Sequence, residues 1–203
     1  MRSGDYCVTQ SKIIVTDCDG VLLDWEFAFD VWVAEKGYKR LPGTEEIFWA
    51  GSRYGIHNDD VLKLIMEFNE SACIGFLPPL RDAVHYVKLL AEQGYQFDVV
   101  SSLHVDRYAQ MLRINNLTHL FGDVFRKINA HLSIIGSKED FLREHYNDSG
   151  CWWVEDRTDH ADAGANVGMK PMLMDHPYNQ KYDGSAVRVY NWKDIYTKIT
   201  ERS

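Results

Sequence analysis

The sequence predicts an α/β fold in which a parallel sheet is covered on both faces by helices and interrupted once by a helical insertion. Three observations predict it. Short, β-branched apolar runs alternate with stretches that carry apolar residues at helical spacing, the pattern of strands joined by crossover helices. Several of those runs stop abruptly at polar residues, and the carboxyl ends of strands are where such sheets carry ligands. One stretch, residues 22–79, breaks the alternation with aromatic helical segments.

Residues 12–16 (KIIVT) form the first apolar run, and Asp17-Cys18-Asp19-Gly20 follows at once, as a buried strand running into a polar loop would. The insertion reads as helices over 25–36, 45–50 and 59–69, with Gly43, Gly51 and Gly55 as breaks and Pro78-Pro79 at its end. The expected organisation is a core of residues 1–21 and 80–203, with 22–79 as a small α-helical cap inserted after the first strand. Ala83, Val84, Val87, Leu90 and Ala91 give residues 81–93 a helical stripe, and Gly94 stands where a helix ends. Residues 94–100 (GYQFDVV) read as a strand closed by Ser101-Ser102. A helix over 105–115, a short strand over 122–126 and a helix over 137–146 follow, the last with Phe141 and Leu142 on one face. Residues 151–154 (CWWV) are too apolar to be exposed and end in Glu155-Asp156. Residues 172–174 and 187–190 are two further strands. Asn191 then caps a helix with Trp192, Ile195, Tyr196 and Ile199 on one side.

With 203 residues, 45% of them hydrophobic, the chain can build one well-packed core and a small subdomain. A net charge of −8 argues against a nucleic-acid polymer or an anionic membrane as partner. A phosphate would have to be bound locally, by a metal or a few placed cations. Cys7, Cys18, Cys73 and Cys151 form no CxxC pair, so reduced thiols in a cytoplasmic protein are expected rather than disulfides or zinc. The polar N-terminus has no hydrophobic signal segment, and no apolar run is long enough to span a bilayer. A homodimer is left open.

The chemistry-bearing residues sit at the strand ends. A carboxylate at Asp17 can attack phosphorus to give an aspartyl-phosphate. Asp19, two residues on, can protonate the leaving oxygen and then deprotonate water. Gly20 permits the sharp turn this needs. Taken alone, DxDG equally fits two solvated turn aspartates. Ser101, with the backbone N–H groups around Ser102, can hold a phosphate oxygen, although serine often ends strands. Lys138 opens the helix before the Glu155-Asp156 strand and could offset the charge of nucleophile and phosphate; Lys127, after another strand, is its rival. Glu155-Asp156 suits Mg²⁺, which needs only one or two carboxylates besides substrate and water. Asp159 and Asp162 read as solvated or capping.

In this order the motifs resemble the haloacid-dehalogenase-like hydrolase superfamily: DCDGV (residues 17–21), VVSS (99–102), Lys138 in SKEDFL and WVED (153–156). The resemblance implies a Rossmann-like sheet with a helical cap between the first and second motifs. It makes Asp17 the nucleophile and Asp19 the acid/base, with Ser101, Ser102 and Lys138 binding phosphate. It assigns Mg²⁺ to Asp17, the Asp19 carbonyl and Asp156, with Glu155 helping directly or through water. The family often carries a further acid three or four residues into its last motif, a place Asp159 could fill. DGVLLDWE, MLMDHPYN (172–179) and RVYNW (188–192) resemble the 5'(3')-deoxyribonucleotidases more narrowly. The expected activity is a Mg²⁺-dependent phosphomonoesterase acting on a small phosphorylated metabolite, a (deoxy)nucleoside monophosphate. A phosphatase or phosphomutase for sugar phosphates is the alternative, and a non-catalytic binding protein would have no need of Asp19. Trp25, Phe27, Phe29, Trp32, Phe48, Trp49 and Tyr54 could stack on a base, though packing between cap helices suits most of them as well.

Overall fold

A computed structural model describes residues 12–103, 106–130, 132 and 137–201. Cys7 and Val105, where a helix was expected to begin, lie outside the described residues. The strands β1 (Ile13–Thr16), β2 (Gln96–Val100), β3 (Phe125–Asn129), β4 (Trp152–Glu155), β5 (Lys170–Met174) and β6 (Val187–Val189) form one sheet in the order β3-β2-β1-β4-β5-β6. All its pairings are parallel. Parallel pairing brings every strand's carboxyl end to one rim. The strand order reverses at the β1–β4 boundary, and loops leaving that boundary in opposite directions open a crevice there. Asp17 leaves β1 at this point, its N–H held by Val154 O at 2.8 Å.

Alternation along the strands separates the core into two layers. Ile14, Phe97, Val99, Trp152, Val154, Met172 and Met174 face one side, where they pack with Trp192, Ile195 and Ile199 of α8 (Trp192–Thr200) and with Val87 and Leu90 of α4 (Ala83–Glu92). Val15, Val100 and Trp153 face the other, against Leu142 and Tyr146 of α6 (Glu139–Tyr146) and Ala163 of α7 (Thr158–Asn166). Trp153 is fully buried; truncation of such a residue to alanine costs about 3–5 kcal/mol. Among the described residues, no helix is long and apolar enough to cross a membrane.

Between β1 and α4 the chain forms α1 (Trp25–Glu35), α2 (Ala50–Tyr54), α3 (Asn58–Glu70) and a 3-10 turn at Ala72–Phe76. Its entry and exit run side by side: Asp24 N–H donates to Pro78 O at 2.9 Å and Leu80 N–H to Leu22 O at 2.8 Å. Most of the aromatic residues here pack on one another. Trp25 stacks on Phe29 at 4.7 Å between centroids, and Phe68 meets Trp25, Phe29 and Trp32 at 5.4–5.5 Å.

Five expectations need correction. Residues 45–49 are not helical; the Thr44 hydroxyl bonds Leu41 O and Arg40 binds Thr44 O, so local turns replace the helix until Ala50. Gly51 lies inside α2 instead of breaking it, and a Cβ there would stand 2.7 Å from Trp49 Nε1. The helix expected to stop at 115 continues as α5 (Arg107–Phe121), because Leu117 and Phe121 extend its buried face. Gly122 ends it with φ +79°, so β3 starts at Phe125 instead of 122. Finally, α7 was not expected. Its sequence, TDHADAGAN, is polar and small, and it owes its place to close packing: a Cβ on Gly164 would lie 2.2 Å from Trp153.

Candidate active site

Three β-strands deliver the site from one rim. From β1 comes Asp17, 6% exposed, whose Oδ1 accepts from Cys18 N–H at 2.7 Å and lies 2.8 Å from Lys138 Nζ. From β4 come Glu155 and Asp156, both buried. Lys138, at the N-cap of α6, reaches between the two strands and donates to Glu155 Oε2 at 2.9 Å while its ammonium stands over the Trp153 ring. One cation thus bridges two carboxylates that chain connectivity separates. From β2 come Ser101 and Ser102, whose hydroxyls are buried without a hydrogen-bond partner among the described residues. Buried hydroxyls are rarely left so, and a ligand oxygen would satisfy them. Ser102, Lys138, Asp156 and Asp19 all line a cavity of about 770 Å³, whose lining also includes Trp25, Phe48 and Trp49.

The glycine at position 20 is required here twice over. Its φ is +74°, and a Cβ would fall 2.4 Å from Asp156 Oδ2. The DxDG loop therefore closes directly on the acid of β4.

Asp17, Glu155 and Asp156 each offer an oxygen within 4.8 Å of the others, and Asp156 Oδ1 is buried with no hydrogen-bond partner among the described residues. Such a donor set, anionic oxygens only, fits a hard divalent cation. Glu155 belongs to the cluster by distance, yet both of its oxygens are engaged. Oε1 accepts from the N–H groups of Asp156 and Arg157 at 3.2 Å, and Oε2 from Lys138. Asp159 stands outside the cluster; Arg157 grips it at 2.6 and 3.1 Å. Asp162 accepts from Tyr182 OH. Lys127 lies on an exposed stretch of β3.

Several residues of the site were not singled out in the sequence. Tyr178 OH donates to Asp156 Oδ2, and Asn179 Nδ2 donates to Asp156 O at 2.8 Å and Met174 O at 2.7 Å. His176 stacks on Tyr178 and contacts Gly20 O at 2.7 Å. The stretch MLMDHPYN signals three of these by position, without saying what they touch. Arg113 is the other. Its one visible signal is a charge placed on the stripe Ala109, Arg113, Asn116, Leu117, all of which are buried.

The electrostatics follow from crowding charge in a dry place. Burial, then the charge of Glu155, push the Asp17 carboxyl up to about 8 against the pull of Lys138. Burial, Glu155 and Asp17 likewise hold Asp156 well above the usual carboxylate range. Burial would raise Glu155 too, but Lys138 and His160 outweigh it and keep Glu155 well below. Burial would lower Lys138, but Asp17 and Glu155 outweigh it and raise it. An acid whose pKa rises on folding, from 3.8 to about 8 for Asp17, binds more protons folded than unfolded, so stability falls as pH rises across that window. His176, lowered from 6.5 chiefly by burial, acts oppositely below that value, which leaves pH 6.5–8 as the window belonging to the carboxyls. The metal-free protein should therefore lose melting temperature between pH 6.5 and 8, and added Mg²⁺ should raise it more at pH 8 than at 6.5. Thermal scans with and without Mg²⁺ check this; a Mg²⁺ effect that shrinks with rising pH would contradict it.

No protein-family model matches the chain. A 32.4 kDa protein of Enterobacteria phage T4, described as uncharacterized and lying in the Gp30-rIII intergenic region, is 28% identical over 195 residues, 92% of this chain and 69% of the phage protein. Among solved structures, a haloacid-dehalogenase-family hydrolase from Deinococcus radiodurans with bound phosphate and sodium superposes with a TM-score of 0.60 at 18% identity, covering 95% of this chain and 96% of that one. The D,D-heptose 1,7-bisphosphate phosphatase of B. bronchiseptica, complexed with magnesium and phosphate, gives 0.59 at 12% identity over 94% and 99%. A haloacid-dehalogenase-like protein from Streptococcus pneumoniae gives 0.67 at 11% identity over 94% and 99%. With its six-stranded parallel sheet, strand order and helical segment after β1, this chain has the Rossmann-like fold of the haloacid-dehalogenase-like hydrolases.

Proposed function

We propose that this chain is a Mg²⁺-dependent phosphomonoesterase that works through an aspartyl-phosphate at Asp17. The observation that carries the reading is a buried carboxylate at the β1 terminus, touched by Lys138 and flanked by Asp156 and by two serine hydroxyls with no protein partner among the described residues. Phosphate in the D. radiodurans structure, and magnesium with phosphate in the B. bronchiseptica one, support it.

A carboxylate oxygen of Asp17 attacks phosphorus as the ester P–O bond breaks, and Asp19 passes a proton to the departing oxygen. Asp19 then takes a proton from water, which attacks phosphorus and frees Asp17 and inorganic phosphate. Ser101, Ser102 and Lys138 hold the phosphoryl oxygens. Asp17, the Asp19 carbonyl and Asp156 would hold Mg²⁺, which would supply charge neutralisation for the transferring group. Glu155, with both oxygens engaged, holds Lys138 in place.

Residues 22–79 act as the cap, supported by the paired entry and exit at 22–24 and 78–80. The core motifs meet only the phosphoryl group, which every phosphate ester shares, so selectivity falls to residues above it. Those include Trp25, Phe27, Phe48 and Trp49, beside the charged pair Glu26 and Arg40. That wall suits a small nucleoside monophosphate, and a deoxynucleotide follows from the sequence resemblance. Cysteines spaced without a CxxC pair suit a cytoplasmic location.

Measuring kcat/KM over deoxy- and ribonucleoside monophosphates, sugar phosphates, phosphoproteins and oligonucleotides, with Mg²⁺ and with excess chelator, tests this. Small nucleotides should lead, polymers should be poor and chelator should abolish turnover. A sugar phosphate well ahead of nucleotides would refute the nucleotidase reading alone. Full activity in chelator would refute the metal-dependent mechanism.

A further inference from the structure

Arg113 lies in the middle of α5, fully buried. Its Nη1 reaches Asp19 Oδ1 at 2.6 Å and Cys18 Sγ at 2.9 Å. Its Nε and Nη2 are buried with no hydrogen-bond partner among the described residues. A guanidinium in that state is poor value for stability: it is desolvated whole, and two of its three nitrogens gain nothing in return. Arg113 also occupies a helix stripe where an apolar residue would pack at no such cost. Among the described residues, its one contact with a charge is the carboxylate assigned above to proton transfer.

We propose that Arg113 is a positioning residue that fixes the Asp19 carboxylate for proton transfer to the ester oxygen. This rests on the phosphomonoesterase reading. Asp19 sits on a loop next to a left-handed glycine, and its side chain is a quarter exposed at the cavity edge. Such a side chain would sample several rotamers. Arg113, anchored in a 15-residue helix, grips one oxygen, Oδ1, and leaves Oδ2 for the leaving group. Orientation is worth much here, because a displacement of about 1 Å can cost on the order of a hundredfold in rate.

The test compares two esters on the full chain with Mg²⁺. p-Nitrophenyl phosphate has a leaving group that departs with little protonation, whereas a primary alkyl phosphate, such as a nucleoside 5′-monophosphate, needs the proton. In Arg113→Met, kcat/KM for the alkyl ester should fall at least roughly tenfold further than for the aryl ester, within the 10²–10⁴-fold that acid/base help is worth. Arg113→Lys should recover part of that difference. The melting temperature of Arg113→Met should equal or exceed that of the wild type. Equal losses on both esters, or a large fall in melting temperature with no ester dependence, would overturn the proposal. Should Arg113→Met fail to fold, Arg113→Lys must still lose more on the alkyl ester, and equal losses there overturn it too. A wild type that hydrolyses neither ester refutes the phosphomonoesterase reading itself, and this proposal falls with it.

Discussion

Asp17→Asn should give a folded protein that does not turn over, with kcat reduced by roughly 10⁴-fold or more. The amide is nearly isosteric, keeps an oxygen for the Cys18 N–H, and leaves Lys138 its partner Glu155. It cannot form an acyl-phosphate by the same attack. The fold should not suffer, because the structure buries a carboxylate whose charged form it disfavours. In the absence of metal at pH 8 the variant should melt at or above the wild-type temperature, and Mg²⁺ should stabilise it less. Activity assays, circular dichroism and thermal scans with and without Mg²⁺ check each part. Near-normal kcat would end the covalent mechanism, whatever the other measurements gave.

Lys138→Ala should hurt both stability and rate, and Lys127→Ala neither. Lys138 is 2% exposed and sits 2.8 Å from Asp17 and 2.9 Å from Glu155, so its removal leaves two buried acids facing each other. Breaking a buried pair in this way costs about 3–5 kcal/mol, roughly 10 °C in melting temperature for a chain of this size. Loss of a fixed cation at the transferring group should lower kcat by roughly a hundredfold or more, measured below both melting points. Lys127 is exposed on β3, where a substitution should stay within about 0.5 kcal/mol. Comparable small losses in the two variants would mean that Lys138 has no part in the chemistry.

The two lysines show where sequence reading ends. Both lie near a strand or helix terminus, and spacing alone favours Lys138 only slightly. What separates them is the register of β3. That strand starts three residues later than expected because the buried face of α5 carries the helix on to Phe121. Likewise α7 was invisible in a polar, small-residue stretch, since the contact of Gly164 with Trp153 that holds it belongs to packing and not to periodicity.

The sequence by itself determined the parallel α/β architecture, the six strands, the insertion after the first of them, the acids and serines at their ends, and the lysine at a helix start. These are local properties: β-branched runs, helical stripes and polar stops are written within a few residues of each other. The tertiary structure decided which of those groups meet. It placed Lys138 between two strands, joined Gly20 to Asp156 with no room for a side chain, and set Tyr178 on Asp156 and Arg113 on Asp19. Tyr178 is 22 residues from its partner and Arg113 is 94 from its own. No local pattern encodes such pairs, because they form only when strand order and helix packing have fixed the distances between elements.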